Sequence, residues 1–549
     1  MSGGVGMEAN LLFNLKKFMD DDLYEYTVQQ LSSFQQLCFE HFDQRAVHTD
    51  REGQPKLIRY DKFGQDVSEI WLNEGYKKTI QETYQTGIVG YLHKDIPELN
   101  RKATYHYSYA FGYLLSQVES GFYCPVTLTM ATAYLLDEYA DDELKDKYLP
   151  HLISTGDTEL YEGATFLTER QGGSDVGANE TKAVKDEGCY RLYGEKYFAS
   201  NAGACGVAAV LARMEGSQPG TKGLSLFLVP WKKEDGTSNH INIRRLKDKL
   251  GVRAVPSAEV ELNGAIGYLI GDPARGFYYM MEALNLSRIC NAIASVGIMR
   301  RAFIEASGYA EQRKAFGKKL AESPMVKDTL CKMAVRQEVQ TSACFELIHL
   351  FEKVMRAKAS SEDENILTRL FIALLKARTA EEAITFSHEA IEMHGGNGYI
   401  EDFVTPRLLR DSQVLTVWEG TANILGLEIL RLIRKYAVHV SYLSWIKRNL
   451  QGNSIMNEGI KELEELLDFL DGQKEDVWTY HAKRLSHLMC DLLLSAIAIK
   501  DAKSGDERKK AIAEVWLDMC WNKSYKDEKK LSVRYFDLIA ESKGTALNV

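Results

Sequence analysis

The chain changes texture twice, and those two changes constrain its fold more than any single motif. From about Gly156 to about Gly271 it is rich in glycine and in short β-type runs, at 189–193, 197–200, 207–212, 224–229 and 258–262. Turn residues such as Asp186-Glu187-Gly188, Gly216-Ser217-Gln218-Pro219-Gly220 and Glu234-Asp235-Gly236 separate them. Runs of that length, punctuated in that way, predict a small antiparallel β-domain. On both sides apolar residues recur every three or four positions, the period of a helix. Before the β-type region the helical segments are 23–42, 66–92 and 104–139. Pro125 is expected to begin a helix, Asp141-Asp142-Glu143-Leu144 to start another, and Pro150 to close it. After it they are 277–316, 324–356, 363–393 and 414–436, with no proline beyond Pro406. From about Ser441 the pattern is helical again, with an apolar stripe at Leu485, Leu488, Leu492 and Ile497. The expected class is therefore α+β. The expected divisions are a helical domain over 1–157, a β-domain over 158–272, a helical domain over 273–440 and a further helical domain over 441–549.

A chain of 549 residues is too long for one core, in line with several domains. Apolar content of 45% and charged content of 26% are those of an ordinary globular protein. A net charge of −10 gives no general attraction to nucleic acid or to an anionic membrane. Nine scattered cysteines without a C-x-x-C pair fit a reducing compartment and no metal site. No apolar run reaches the ~18 residues of a membrane span, and 1–22 does not read as a signal peptide, so a cytoplasmic location is expected.

The stretch 411–423 carries the sharpest chemical candidate. Glu419 stands between Trp418 and Gly420, with Thr421 and Asn423 following. A ring on one side and no side chain on the other desolvate a carboxylate, which raises its pKa and suits it to be a general base. An acidic residue near a helix start, favoured by the dipole, is the plainer reading. Thr168-Glu169-Arg170-Gln171-Gly172-Gly173-Ser174-Asp175-Val176 offers two glycines for close backbone approach and hydroxyls on either side, or simply a surface turn. His394-Gly395-Gly396-Asn397-Gly398 lacks the strand and spacing of a dinucleotide fingerprint and reads as a helix C-cap. Arg313-Lys314-Ala315-Phe316-Gly317 is a basic helix end, or a guanidinium placed for a phosphate. The segment 247–253 reads as a solvated charged turn.

Taken as an ordered set, these stretches resemble the acyl-CoA dehydrogenase family over roughly residues 60–438. Residues 168–176 are similar to its T-E-x-x-x-G-S-D-V, 196–201 to K-x-W-I-T-N and 249–253 to K-x-G-x-R. Residues 313–317 are similar to R-x-x-F-G, 394–398 to F-G-G-x-G and 418–421 to Y-E-G-T. Cys124-Pro125-Val126-Thr127, 245–251, Trp418-Glu419-Gly420 and the long tail resemble the AidB-like, alkylation-response branch. The resemblance implies an N-terminal helical domain, a central antiparallel β-domain, a four-helix bundle and an extra C-terminal helical domain. It also implies FAD and the α,β-dehydrogenation of an acyl-CoA thioester. A base removes the α-proton and the β-hydrogen leaves as hydride to the flavin.

Carried over residue by residue, Glu419 matches the base, and its backbone N–H matches a donor to the thioester oxygen. Thr168 and Ser174 match flavin-contacting hydroxyls, and Phe198 and Ser200 match residues beside the isoalloxazine, with Phe replacing the usual Trp. Arg313 and Phe316 match residues that reach the FAD of a neighbouring subunit, which implies at least a dimer and fits a dimer of dimers. Gly395, Gly396, Gly420, Thr421 and Asn423 match positions near the cofactor. Ser174, Arg288 and Trp418 match the substrate side. An electron-transferring flavoprotein is the expected acceptor. The alternatives are an AidB-like stress-response flavoprotein associated with nucleic acid, or an acyl-CoA oxidase. No nucleic-acid partner is expected. In 441–549 the basic clusters Arg508-Lys509-Lys510 and Lys529-Lys530 are offset by Asp506-Glu507, Asp527-Glu528 and the acidic positions 462, 464, 465, 468 and 471, so the tail reads as a scaffold packed on the core.

Overall fold

The structure, a computed structural model, describes residues 7–356, 361–450, 455–522, 524 and 529–540. It divides into two compact units, one of Met1–Val28 with Asn291–Val549, the other of Gln29–Cys290. Two helices, α2 (Asp21–Leu37) and α8 (Gly276–Gln312), have residues in both.

The contiguous unit begins with helices and one hairpin. After α3 (Asp43–Arg51) come strands β1 (Lys56–Tyr60) and β2 (Asp66–Trp71), paired antiparallel, then α4 (Glu74–Tyr84). The expected helix over 66–92 is thus confined to α4 and a short turn. Val67, Ile70 and Trp71 satisfy helical spacing, but pairing with β1 takes them into a strand. Asn73 caps α4 by accepting a hydrogen bond from the Tyr76 amide at 2.8 Å. Helix α5 (Tyr105–Leu115) is buried on every side and α6 (Ser120–Tyr139) over nearly its whole length, as their apolar and aromatic composition requires. Pro125 lies inside α6, not at its start; Glu119 caps the helix well before it. Asp141 caps α7 (Asp142–Leu152), which runs two residues past Pro150.

The β-domain contains β3 (Gly163–Phe166), β4 (Lys182–Asp186), β5 (Cys189–Ser200), β6 (Val207–Met214), β7 (Leu224–Pro230), β8 (Ile241–Leu246) and β9 (Ser257–Leu269). Pairings β6–β4, β4–β5, β5–β9, β9–β7 and β7–β6 close a ring; β3 joins it at β6 and β8 at β9. The ladders are antiparallel except β3–β6 and β4–β6. Phe166, Leu192, Val210, Phe227, Ile243 and Val260 fill the interior. Strand β5 carries a register shift between Lys196 and Ala199. A bulge of this kind re-aims side chains. Lys196 points inward at 1% exposure, while Phe198 stands 56% exposed.

The other unit is helical. It contains α1 (Ala9–Phe18), the end of α8, a two-strand turn β10 (Lys314–Ala315) and β11 (Lys318–Lys319), then α9 (Pro324–Arg356), α10 (Glu362–His394), α11 (Thr405–Leu415), α12 (Ala422–Tyr436), α13 (Val438–Asn449), α14 (Ile455–Leu470), α15 (Glu475–Ala502) and α16 (Glu507–Trp521). Ser361 and Glu364 form a capping box at the start of α10. Helix α15 packs against α9, α10, α12 and α13, so the C-terminal helices share a core with the bundle. The Tyr442 hydroxyl, fully buried, donates to the Met489 carbonyl. Polar contacts add to this seam. Arg508 pairs with Glu338 of α9 through both guanidinium arms, and Lys509 lies 3.5 Å from the same carboxylate. Lys500 pairs with Glu346 at 2.6 Å, and Lys17 of α1 bonds Asp501 at 2.9 Å. Asn10 accepts from Lys509 and donates to the Glu338 carbonyl.

Candidate active site

Glu419 sits in the connection between α11 and α12. Val417 and Trp418 continue the helix end by donating to the Val414 carbonyl at 2.8 and 2.9 Å. Then the chain turns left-handed at two successive residues, Glu419 (φ 61°) and Gly420 (φ 104°). Glycine adopts this freely; for glutamate it is a strained state of about 1–2 kcal/mol, of the sort concentrated at functional sites. Trp418 and Glu419 are half-buried, and Thr421 and Asn423 are exposed. Side chains from two helices hold the connection. Asn291 of α8 donates to the Leu415 carbonyl at 3.2 Å, and Lys376 of α10 donates to the Gly420 carbonyl at 2.6 Å.

In the same unit α10 ends at His394 and Gly395, whose positive φ of 61° is a conformation that glycine adopts freely and L side chains rarely do. An added Cβ at Gly395 or Gly396 would meet nothing within 4 Å, so this backbone is open to a ligand. Burial pushes the His394 imidazole pKa down, and its Nδ1–H donates to the Ala390 carbonyl at 2.7 Å. Tyr309 of α8 ties this turn to the next element. Its ring lies 4.2 Å from His394, its hydroxyl accepts from Asn397 at 3.2 Å, and its carbonyl accepts the Arg313 amide at 2.9 Å. Phe316 (φ 52°) and Gly317 (φ 80°) form the β10–β11 turn, of the paired positive-φ type that suits tight hairpins. Phe316 is fully exposed at this tip, and Arg313 is exposed at its base.

The contiguous unit assembles the remaining candidates. Glu169, 5% exposed, accepts from Lys196 at 2.7 Å, from the Thr181 hydroxyl at 2.6 Å and from the Glu180 amide at 2.7 Å. Lys196 also donates to the Leu211 carbonyl at 2.9 Å. This buried pair fastens loop 168–176 to β5, and the Tyr197 amide donates to the Thr168 carbonyl at 2.9 Å. A Cβ at Gly173 would lie 2.5 Å from the Thr168 Oγ1, so glycine lets that hydroxyl sit against the loop. Thr168 and Ser200 are half-buried, and Ser174 and Phe198 are exposed. Arg288 of α8 donates to Asn285 at 3.3 Å.

The structure therefore gathers Trp418, Glu419, Gly420, Thr421 and Asn423 at one turn. It links Gly395 and Gly396 to Arg313 and Phe316 through Tyr309, and it groups Thr168 with Phe198 and Ser200. Sequence reasoning missed Lys376, Asn291 and Tyr309, and misread Lys247. Lys247 is no solvated turn residue: its ammonium lies 3.4 Å from the Tyr197 ring centroid and 4.8 Å from that of Phe198, and pairs with Glu259 at 2.6 Å. The signal for Lys376 was present, a lone lysine after the apolar run Phe371 to Leu375. Among the described residues no His, Cys, Asp and Glu group could hold a metal ion, and no helix is long and apolar enough to cross a membrane.

Residues 13–157 match the family model for the adaptive response protein AidB N-terminal domain, 164–265 that for the acyl-CoA dehydrogenase middle domain, and 274–433 that for the acyl-CoA dehydrogenase C-terminal domain. The putative acyl-CoA dehydrogenase AidB of Escherichia coli (strain K12) is 34% identical over 393 residues, 70% of each protein. The chain belongs to the acyl-CoA dehydrogenase family. Acyl-CoA dehydrogenase family member 11 of Caenorhabditis elegans is 32% identical over 464 residues, 83% of this chain and 74% of that protein. The crystal structure of Caenorhabditis elegans ACDH-11 in complex with C11-CoA superimposes with a TM-score of 0.85 at 28% identity, covering 95% of this chain and 91% of that one. As an AidB-like acyl-CoA dehydrogenase the chain is an FAD-dependent oxidoreductase acting on CH–CH bonds, and FAD is the family's cofactor.

Proposed function

We propose that the chain catalyses α,β-dehydrogenation of an acyl-CoA thioester, with Glu419 as the base. The observation that carries this reading is the half-buried Glu419 held left-handed beside Gly420. In that state its carboxylate and its own backbone N–H belong to one rigid turn. The carboxylate takes the α-proton, and the N–H donates to the thioester oxygen as enolate charge grows. One such donor lowers the barrier by about 3 kcal/mol. Trp418 shields the carboxylate from water, and Arg288 and Ser174 orient the substrate. When bound, FAD supplies the two-electron acceptor.

The residues present suit that cofactor. The hydroxyls of Thr168, Ser174 and Ser200 offer donors and acceptors, Phe198 offers an exposed ring face, and the backbone at Gly395 and Gly396 is open. Gly420, Thr421 and Asn423 border the same turn as Glu419. Arg313 offers a fork for a diphosphate, and the exposed Phe316 tip supports delivery to a neighbouring subunit, hence at least a dimer and by our reading a dimer of dimers. We take an electron-transferring flavoprotein as acceptor, a cytoplasmic location, and the four-part division 1–157, 158–272, 273–440 and 441–549.

The test is anaerobic mixing of the holoenzyme with butyryl-, octanoyl-, dodecanoyl- and palmitoyl-CoA, following flavin absorbance. At least one should bleach the wild-type flavin. Glu419→Gln should keep FAD and fold yet lose this bleaching by a factor of about 10³ or more; reduction at the wild-type rate overturns the assignment.

A further inference from the structure

We infer that Lys376, assisted by Asn291, is a positioning residue that holds the Glu419–Gly420 turn in its left-handed form. The inference rests on the reading of Glu419 as base and adds residues to it. Lys376 is 1% exposed on α10, forty-odd residues before the turn. Burying an ammonium is unfavourable unless hydrogen bonds replace its water. Its Nζ donates to the Gly420 carbonyl at 2.6 Å, a short and charge-assisted bond. That oxygen belongs to the peptide immediately after two successive positive-φ residues. Fixing it fixes the Gly420–Thr421 peptide plane, and with it the rotation that sets Glu419.

Asn291, 5% exposed on α8, holds the other end by donating to the Leu415 carbonyl, the last residue of α11. The six-residue connection 416–421 is thus clamped at both ends by side chains from two bundle helices. Released, Glu419 can relax toward the right-handed region favoured by L-residues. That rotation swings both its carboxylate and its N–H away from their places. A displacement of about 1 Å at a reacting group lowers rates by about 100-fold. A lysine that merely filled an orphaned carbonyl would affect stability, not the rate at saturating substrate.

The experiment uses the FAD-loaded full chain as wild type, Lys376→Met, Lys376→Gln and Glu419→Gln. Anaerobic stopped-flow reduction is measured with whichever of the four acyl-CoAs above reduces the wild type fastest. Lys376→Met should lower the limiting rate by about 10- to 100-fold, with FAD content unchanged and the apparent Kd for the acyl-CoA within about twofold. Lys376→Gln keeps a donor and should recover at least about half of that loss on a logarithmic scale. Amide exchange at 416–421 should be faster in Lys376→Met than in Lys376→Gln. A wild-type limiting rate in Lys376→Met overturns the inference. So does Lys376→Gln behaving no better than Met, or both variants losing fold and FAD, which would make the lysine purely structural. Glu419→Gln separates the two layers: its retaining the wild-type rate brings down the base assignment itself, whereas its inactivity beside a normal Lys376→Met brings down only the positioning role.

Discussion

Glu162 is a buried carboxyl with no part in the proposed chemistry, and it gives the fold a pH dependence. It precedes β3 at 5% exposure. Tyr84 donates to it at 3.0 Å while also bonding Thr129 at 2.8 Å, and Asn201, Tyr76 and Cys205 face the same site. Burial raises its pKa from 4.5 to about 7, against the opposing pull of Tyr84 and Asn201. Between those values the folded chain keeps a proton that the unfolded chain has released. Stability is therefore fully present below the unfolded value and falls as pH rises through about 7, by up to about 3 kcal/mol. Urea melts at pH 5 and pH 8 should show this loss, and Glu162→Gln should remove most of it. An unchanged pH slope in that variant would assign the effect elsewhere.

At the scale of elements, the Lys196–Glu169 pair decides whether loop 168–176 lies against β5. Removing one partner of a buried pair costs about 3–5 kcal/mol, because the other is left uncompensated. Lys196→Met should therefore lower the chemical-denaturation midpoint and speed amide exchange in 168–181, with Tyr197 losing protection. Exchange unchanged there would mean the loop is held by other contacts. How much of this was legible in sequence varied by element. Helix α9 could be read with its bounds, since Pro324 marks a first turn and the period runs unbroken to Arg356. Strand β2 could not, because three residues at helical spacing fit either state until a partner strand decides. Pro125 misled through a rule about first turns, in a helix whose cap lies earlier. The Glu419–Gly420 doublet was visible as a motif, but its left-handed geometry and its clamps come from α8 and α10, more than forty residues away in sequence. Lys247 was misread for the same reason: its partner, Glu259, lies on the neighbouring strand β9.

For the whole molecule, the question raised by the tail is where its positive charge points. Lys509 is 5% exposed, and Arg508 and Lys509 both engage Glu338, while Lys510 pairs with Glu507 at 2.6 Å. Lys529 and Lys530 are exposed; Asp527 and Glu528 lie outside the described residues. A chain that spends its basic cluster inward should bind duplex DNA no more tightly than about 10⁻⁶ M at ~150 mM salt. Sub-micromolar binding lost on deleting 441–549 would promote the nucleic-acid alternative. Glu338→Gln should destabilise the bundle and tail together by about 3 kcal/mol, read as one shifted melting transition. Arg313→Ala should weaken FAD retention, with relief in mixed oligomers whose partner subunits carry defective flavin-cradling loops; a monomer that holds FAD tightly would contradict the shared site. The clasp between Asn10 and Lys509 also sets a timetable. Synthesis runs at about 5–20 residues per second, so α1 waits on the order of half a minute or more for the lysine it binds. In that interval residues 29–290 emerge entire and can complete their own core. Until α9, the helix it packs against, has emerged, the amphipathic face of α1 is an exposed client for chaperones, and slowing translation between residues 291 and 356 should prolong that exposure without touching the folded product.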